Sequence, residues 1–166
     1  RQLNAEADKN ASGGELMDAY VWTDWTLGGT PLSLRYGKQV VSWGESTFIQ
    51  GGINSINPVD VGAIRAPGAE IKEALIPVEM FYLSAGVSDT VTVEGFVQMD
   101  WQKTRPDDCG TFFSTNDFAP DGCGPVLLAG HLPDSVANAQ GIFAPRVGDK
   151  QPDDNDQFGM AIRWYV

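Results

Sequence analysis

Histidine occurs once and cysteine twice in the 166 residues. One imidazole, His131, and one pair of thiols fall short of the four ligands that a structural zinc site wants. Positive charge is scarce as well: 11 Lys and Arg stand against 22 Asp and Glu, for a formal net charge of −11 and a pI near 4.3. Without clustered cations to neutralise phosphates, nucleic acid is excluded as an expected partner. No run of about eighteen apolar residues occurs, which excludes a transmembrane helix. Arg1 to Gly14 is polar and lacks the apolar core and cleavage site of a signal peptide, so an exported chain is expected here in mature or trimmed form.

What the chain has instead is alternation. From Val91 to Gln102, the residues Val91, Val93, Gly95, Val97, Met99 and Trp101 fall on one side, with Thr92, Glu94, Phe96, Gln98, Asp100 and Gln102 on the other. Successive strand side chains point to opposite faces, so this segment reads as a strand with one apolar and one polar side. The C-terminal segment repeats the pattern, opposing Phe158, Met160, Ile162, Trp164 and Val166 to Gln157, Gly159, Ala161, Arg163 and Tyr165. Noisier versions precede them. In the first, Tyr20 and Trp22 share the side of Asp18 and Asp24; in the second, Lys38 falls on the apolar side of Leu32, Leu34 and Tyr36, where it either snorkels to a boundary or marks a bulge. The expected strands are 15–25, 32–43, 78–87, 91–103 and 157–166.

The connections between them run short, long, short, long. Leu27 to Pro31 and Ser88 to Thr90 are hairpin-sized. Residues 44–77 and 104–156 are far longer than the connections of compact soluble domains. Short turns on one rim and long loops on the other belong to outer-membrane β-barrels, whose strands run about nine to eleven residues. The predicted fold class is therefore all-β, a portion of an antiparallel transmembrane β-barrel. Such barrels have an even number of strands from about eight upward, and this chain stops in mid-strand at Trp164, Tyr165 and Val166. The whole of 1–166 is expected to be one piece of a longer barrel. The competing fold is a soluble antiparallel sandwich, which also alternates. The connection 44–77 is Gly- and Pro-rich yet carries Phe48, Ile49, Ile53, Ile56, Val59, Val61 and Ile64, so it is expected to fold over or into the lumen. Ala69 to Leu75 is expected to form a short helix ended by Pro77.

Chemistry-bearing residues are sparse. Cys109 and Cys123 bound a segment of the longest loop; as a disulfide they imply an oxidising compartment and a gain of about 3 kcal/mol in the chain-entropy model, the alternative being two free thiols in a reducing cytosol. Ser46 lacks the nucleophile-elbow glycines, and His131 lies in a loop beside Gly130 with no evident nucleophile. Glu94 with Asp100 is the only carboxylate pair that suggests a glycosidase. Asp153, Asp154 and Asp156 offer hard oxygens for Ca²⁺ but lack the spacing and glycine of a calcium loop. No enzyme activity and no cofactor are expected. The polar sides are more informative: Ser33, Arg35, Gln39, Glu94, Gln98, Asp100 and Arg163 would face a lumen, where opposed charges select solutes or pair inside a plugged barrel. Tyr20, Trp22, Tyr36, Trp43, Trp101, Trp164 and Tyr165 lie near strand ends, as interfacial girdles do; in a sandwich they would be core or a sugar platform.

Three stretches carry a family resemblance: LSLRYGKQVVSWGESTFIQGGINSINPVD from Leu32 to Asp60, PGAEIKEALIPVEMFYLSAGVSDTVTVEGFVQMDWQKT from Pro67 to Thr104, and CGTFFSTNDFAPDGC. With GKQ on a strand followed in order by WGES, INPVD and the PGAE and KEAL segments, the chain resembles a large Gram-negative outer-membrane family catalogued as a domain of unknown function. Members of that family are several times longer and look like single-chain barrels. The resemblance implies an outer-membrane, porin-like channel or transporter component for small hydrophobic or lipid-like molecules. It implies outer-membrane lipid as surroundings, an unidentified solute, and a periplasmic lipoprotein-like partner with an exporter. It supplies no catalytic residues. The alternatives are a soluble secreted, carbohydrate-directed binding module and, less favoured, a barrel-borne hydrolase.

Overall fold

The computed structural model describes residues 16–43, 56–68, 71–114, 118–120 and 123–166, so that Ser46, Phe48, Ile49 and Ile53 lie outside the described residues. Two compact units divide the chain: residues 16–104 with 151–166, and a second formed mainly by 105–150.

The first unit is a five-stranded antiparallel sheet of β1 (Ala19–Leu27), β2 (Thr30–Gln39), β3 (Val78–Ser88), β4 (Val91–Gln98) and β7 (Phe158–Trp164), in the order β1-β2-β3-β4-β7. The fold is thus all-β in character, with short helical turns α1 (Val61–Ile64) and α2 (Ile71–Ala74) in the β2–β3 connection. Leu27 pairs with Thr30, leaving Gly28 and Gly29 at φ 60° and 92° as a two-residue turn. Positive φ at both central positions is what a type I′ hairpin requires, and glycine adopts it without steric cost. At the other hairpin, the Ser88 hydroxyl accepts from the Val91 amide at 3.1 Å.

Strand ends differ from the sequence expectation, for local reasons. Strand β1 begins at Ala19 rather than residue 15, where its pairing with Lys38 begins. Strand β2 stops at Gln39 rather than 43 because the Val41 amide donates to the Asn57 side chain at 2.9 Å instead of to a neighbouring strand. Strand β4 ends at Gln98 rather than 103; the Trp101 amide turns to the Asp154 carboxylate at 3.3 Å. No bulge occurs at Lys38, whose pairing with Ala19 and Glu79 is in register. The register shift lies in β3 between Gly86 and Ser88.

Gly37 has a different task. Its φ is 129°, and a Cβ there would lie 2.4 Å from the Ala19 carbonyl oxygen and 2.8 Å from Tyr20 Cα. Both are backbone atoms of β1 and cannot rotate away. Gly37→Ala is expected to cost about 1–3 kcal/mol in backbone strain and to open the β1–β2 ladder. Amide exchange in β1 is the check: faster exchange at Tyr20 and Val21 is expected, and unchanged protection would contradict it.

Directly paired residues share a face. One face carries Val21, Thr23 and Trp25, then Leu32, Leu34 and Tyr36, then Phe81, Leu83 and Ala85, then Val93, Gly95 and Val97, and finally Phe158, Met160 and Ile162. The reverse face carries Arg35, Gln39, Met80, Tyr82, Glu94, Phe96, Gln98 and Arg163. The core lies on this second side: Val41, Val78, Met80, Tyr82 and Phe96 are buried, with Trp43 and Ile56 packed against them.

In the second unit, β5 (Val126–Leu127) pairs with β6 (Phe143–Ala144), and α3 (Asp134–Ala139) buries Ala137. A disulfide joins Cys109 to Cys123, as read from the sequence. Arg146 donates to the carbonyls of Ala119 and Pro120 and pairs with Asp149 at 3.6 Å.

Candidate functional site

The polar face is built from a strap and a belt. The strap comprises residues 40–43 and the described part of 56–77. The Asp60 carboxylate caps α1 by accepting from the Ala63 amide at 3.0 Å, and Asp60 N to Ala74 O (2.7 Å) and Ile76 N to Pro58 O (2.8 Å) close a small antiparallel loop around the Val59–Leu75 bridge. Asn57, 3 % exposed, fastens this loop to the sheet. It accepts from the Val41 amide at 2.9 Å and donates to the carbonyls of Gln39 at 3.1 Å and Ile76 at 3.0 Å. Buried backbone groups need such partners, and a side-chain amide with one acceptor and two donors meets all three at once.

The sheet reaches back. Gln98 donates to the Ile56 carbonyl and Gln39 to the Met80 carbonyl, each at 3.0 Å. Trp43 packs on Phe96 with ring centroids 5.2 Å apart. Both rings sit over Gly159, where a Cβ would meet the Phe96 ring at 2.6 Å. Lys72 of α2 reaches Asp18, just before β1, at 3.4 Å.

The belt crosses the middle of the same face. Arg35 lies opposite Trp22 on one side and Tyr82 on the other. Its guanidinium is 4.2 Å from the Tyr82 ring centroid and 5.7 Å from that of Tyr20, a cation held between π faces. Further along, Glu94 is buried and its Oε2 is 3.1 Å from Arg163, an ion pair whose geometry falls short of a hydrogen bond. Gln39 Oε1 and Trp43 Nε1 are likewise buried without hydrogen-bond partners.

Of the sequence-derived lumen candidates, Arg35, Gln39, Glu94, Gln98 and Arg163 occupy this face. Asp100 does not join them: it lies past the end of β4, where it accepts from Gln102 at 2.6 Å. Gln98 is bonded to the strap at Ile56 and Gln39 to the Met80 carbonyl of β3, so neither is presented openly. Asp153, Asp154 and Asp156 are not drawn together: among the described residues no three His, Cys, Asp or Glu side chains are grouped to hold a metal ion, and Asp154 serves the Trp101 amide. His131 is exposed in the second unit. Tyr20 and Trp22 lie on the polar face by strand parity, and Trp43, beyond the end of β2, packs on Phe96 in the strap.

The opposite face carries its charged groups at one end. There Tyr36 stacks on Phe81 at 4.4 Å and its hydroxyl donates to Glu79 at 2.5 Å, with Lys38 paired to Glu79 across the ladder. Trp25 and Trp164 occupy the hairpin end. Between them Gly95 has no side chain, which leaves a shallow hollow of about 440 Å³ bounded by Phe81, Leu83, Val93, Val97, Phe158 and Met160.

Sequence reasoning missed Asn57, Tyr82 and Trp43 as a connected set. The available signal was an asparagine set between isoleucine and proline in an unusually apolar connection. No helix among the described residues is long and apolar enough to cross a membrane, which bears on helices alone and not on strands. No curated protein and no solved structure matches the chain significantly. Residues 2–166 match the family described as Protein of unknown function (DUF1302), and the chain, with its GKQ glycine against β1 and its INPVD asparagine in the strap, belongs to that family.

Proposed function

We propose that the sheet is a section of an outer-membrane β-barrel, with its apolar face against hydrocarbon and its polar face lining the lumen, and that the protein is a non-catalytic channel or transporter component for small molecules. The observation that carries this reading is an open apolar face backed by buried polar side chains, which lie with the apolar core of Val78, Met80 and Phe96 on the other side. Phe158, Met160 and Ile162 are 79 %, 71 % and 64 % exposed, while Gln39, Glu94 and Gln98 on the other side are 0 %, 5 % and 3 % exposed. In water, open apolar area costs about 25 cal/mol per Å², and buried polar groups cost more unless partnered. A bilayer removes the first cost, and apolar-out with polar-in is the arrangement of membrane barrels. Strands of 9, 10 and 11 residues in β1, β2 and β3 match a tilted crossing. The disulfide fits the oxidising periplasm or cell exterior. Hydrophobic or lipid-like solutes, and a periplasmic lipoprotein-like partner with an exporter, are the surroundings this reading assigns.

A soluble carbohydrate-binding module would need something to cover the apolar face, and that face is open among the described residues. Flotation separates the two. The chain refolded with phospholipid vesicles is expected to rise with them in a density gradient and to resist extraction by alkaline carbonate. A chain that stays monomeric in buffer without detergent and sediments apart from the vesicles would overturn the proposal.

A further inference from the structure

The two cations of the polar face are in different electrostatic states. Arg163 is neutralised by Glu94 at 3.1 Å. Arg35 has no acid partner among the described residues: the nearest acids on its face are Asp24, opposite Ser33 one pair closer to the hairpin, and Glu94 two strands away, and neither forms an ion pair with it. It is instead stacked against Tyr82 and Tyr20. Rings above and below a guanidinium occupy its faces and leave its in-plane N–H donors to match a carboxylate in a two-bond fork. Around it, Tyr20 and Trp22 are 39 % and 67 % exposed on the same face, with ring centroids 6.3 Å apart. One charge-assisted fork thus adjoins an open aromatic surface.

We infer that Arg35, set between Tyr82 and Tyr20 beside Trp22, is a binding site for organic monocarboxylates, the guanidinium holding the carboxylate and the rings the apolar body. The inference rests on the lumen reading for its access from water, and it narrows the solute to anions with an apolar body. Glu94 does not oppose such a ligand, since Arg163 cancels its charge. Asp24 sets the limit on the other side and disfavours dianions.

Calorimetric titration of the full chain in neutral detergent tests it, with cyclohexanecarboxylate and cyclohexylmethanol as matched probes and chloride as a bare anion. The carboxylate is expected to bind roughly tenfold tighter than the alcohol, the ratio of one charge-assisted contact, and chloride weakly. Arg35→Gln should erase the difference while leaving alcohol binding within about twofold, which shows that the variant is still folded. Arg35→Lys should restore part of it. Equal binding of the two probes by the native chain, or a preference that survives in Arg35→Gln, would overturn the assignment; chloride competing as well as the carboxylate would do so too. Flotation reports separately on the barrel: failure there removes the lumen reading, whereas failure of the titration alone removes only the role of Arg35.

Discussion

Val97→Arg is expected to abolish membrane assembly, while Ser33→Arg assembles as the native chain does. Val97 lies between Phe81 and Phe158 on the apolar face, at 44 % exposure, so an arginine there must carry its charge into hydrocarbon. Near the bilayer midplane that costs about 2–4 kcal/mol, which lowers the inserted fraction roughly thirty-fold to several hundred-fold. Ser33 is on the polar face, opposite Asp24 and Ser84, where a guanidinium meets an acid and water. Gln98, although on that same side and adjacent to Val97, is unsuitable as the tolerant control, because it is 3 % exposed and bonded to the strap. Vesicle-insertion yield measured side by side is the check. Equal insertion of the two variants would mean that the faces are misassigned.

Asn57→Leu is expected to be the most damaging single change in the strap. Leucine fills similar space but leaves the Val41 amide and the carbonyls of Gln39 and Ile76 without their partner. Each buried backbone group left unmet costs about 1–3 kcal/mol, so a loss of about 3–9 kcal/mol is expected for the three. Asn57→Asp is a sharper version. It keeps an acceptor for Val41 but sets a carboxylate against two carbonyl oxygens, and should be at least as harmful despite its nearly identical shape. Urea unfolding of the vesicle-folded chain reports the loss, and exchange at the Val41 amide localises it. A cost below about 1 kcal/mol for both variants would mean that Asn57 does not hold the strap.

The alternation of Val93, Gly95 and Val97 against Glu94, Phe96 and Gln98 is legible in the sequence because a period of two is a local property. So are both hairpins, through Gly28 and Gly29 and through the short Ser88–Thr90 link. Lys38 shows where local reading runs out. By sequence it signals either a boundary or a bulge, and only the pairing with Glu79 decides for the first. Strand ends escape local reading where an amide leaves the ladder for a side chain distant in sequence, as Val41 does for Asn57 and Trp101 for Asp154. Asn57 itself is illegible for the same reason, since its value lies in partners 16 to 19 residues away. The aromatic residues divide along similar lines. Tyr36 and Trp164 can be assigned from alternation, whereas Trp43 lies beyond the end of β2 and takes its place only from Phe96 and Gly159. The family resemblance rests partly on these same residues. The Gln39 carbonyl of the GKQ segment, Trp43 of WGES and Asn57 of INPVD are where the connection is fastened to the sheet, while Gly37 lets β1 approach β2.

The central claim is that hydrocarbon touches one face of β4 and not the other. Nitroxide labels placed singly from Val91 to Gln98 in vesicle-reconstituted protein read this directly, through collision with oxygen, which concentrates in the bilayer, and with a polar nickel chelate, which does not. The expected result is a period of two, with high oxygen and low nickel access at Val93, Gly95 and Val97 and the reverse or low access to both at Thr92, Glu94 and Phe96. Oxygen access at Val93 and Val97 no higher than at Thr92 and Glu94 would contradict the account and leave an apolar face that meets water or another protein layer instead of lipid.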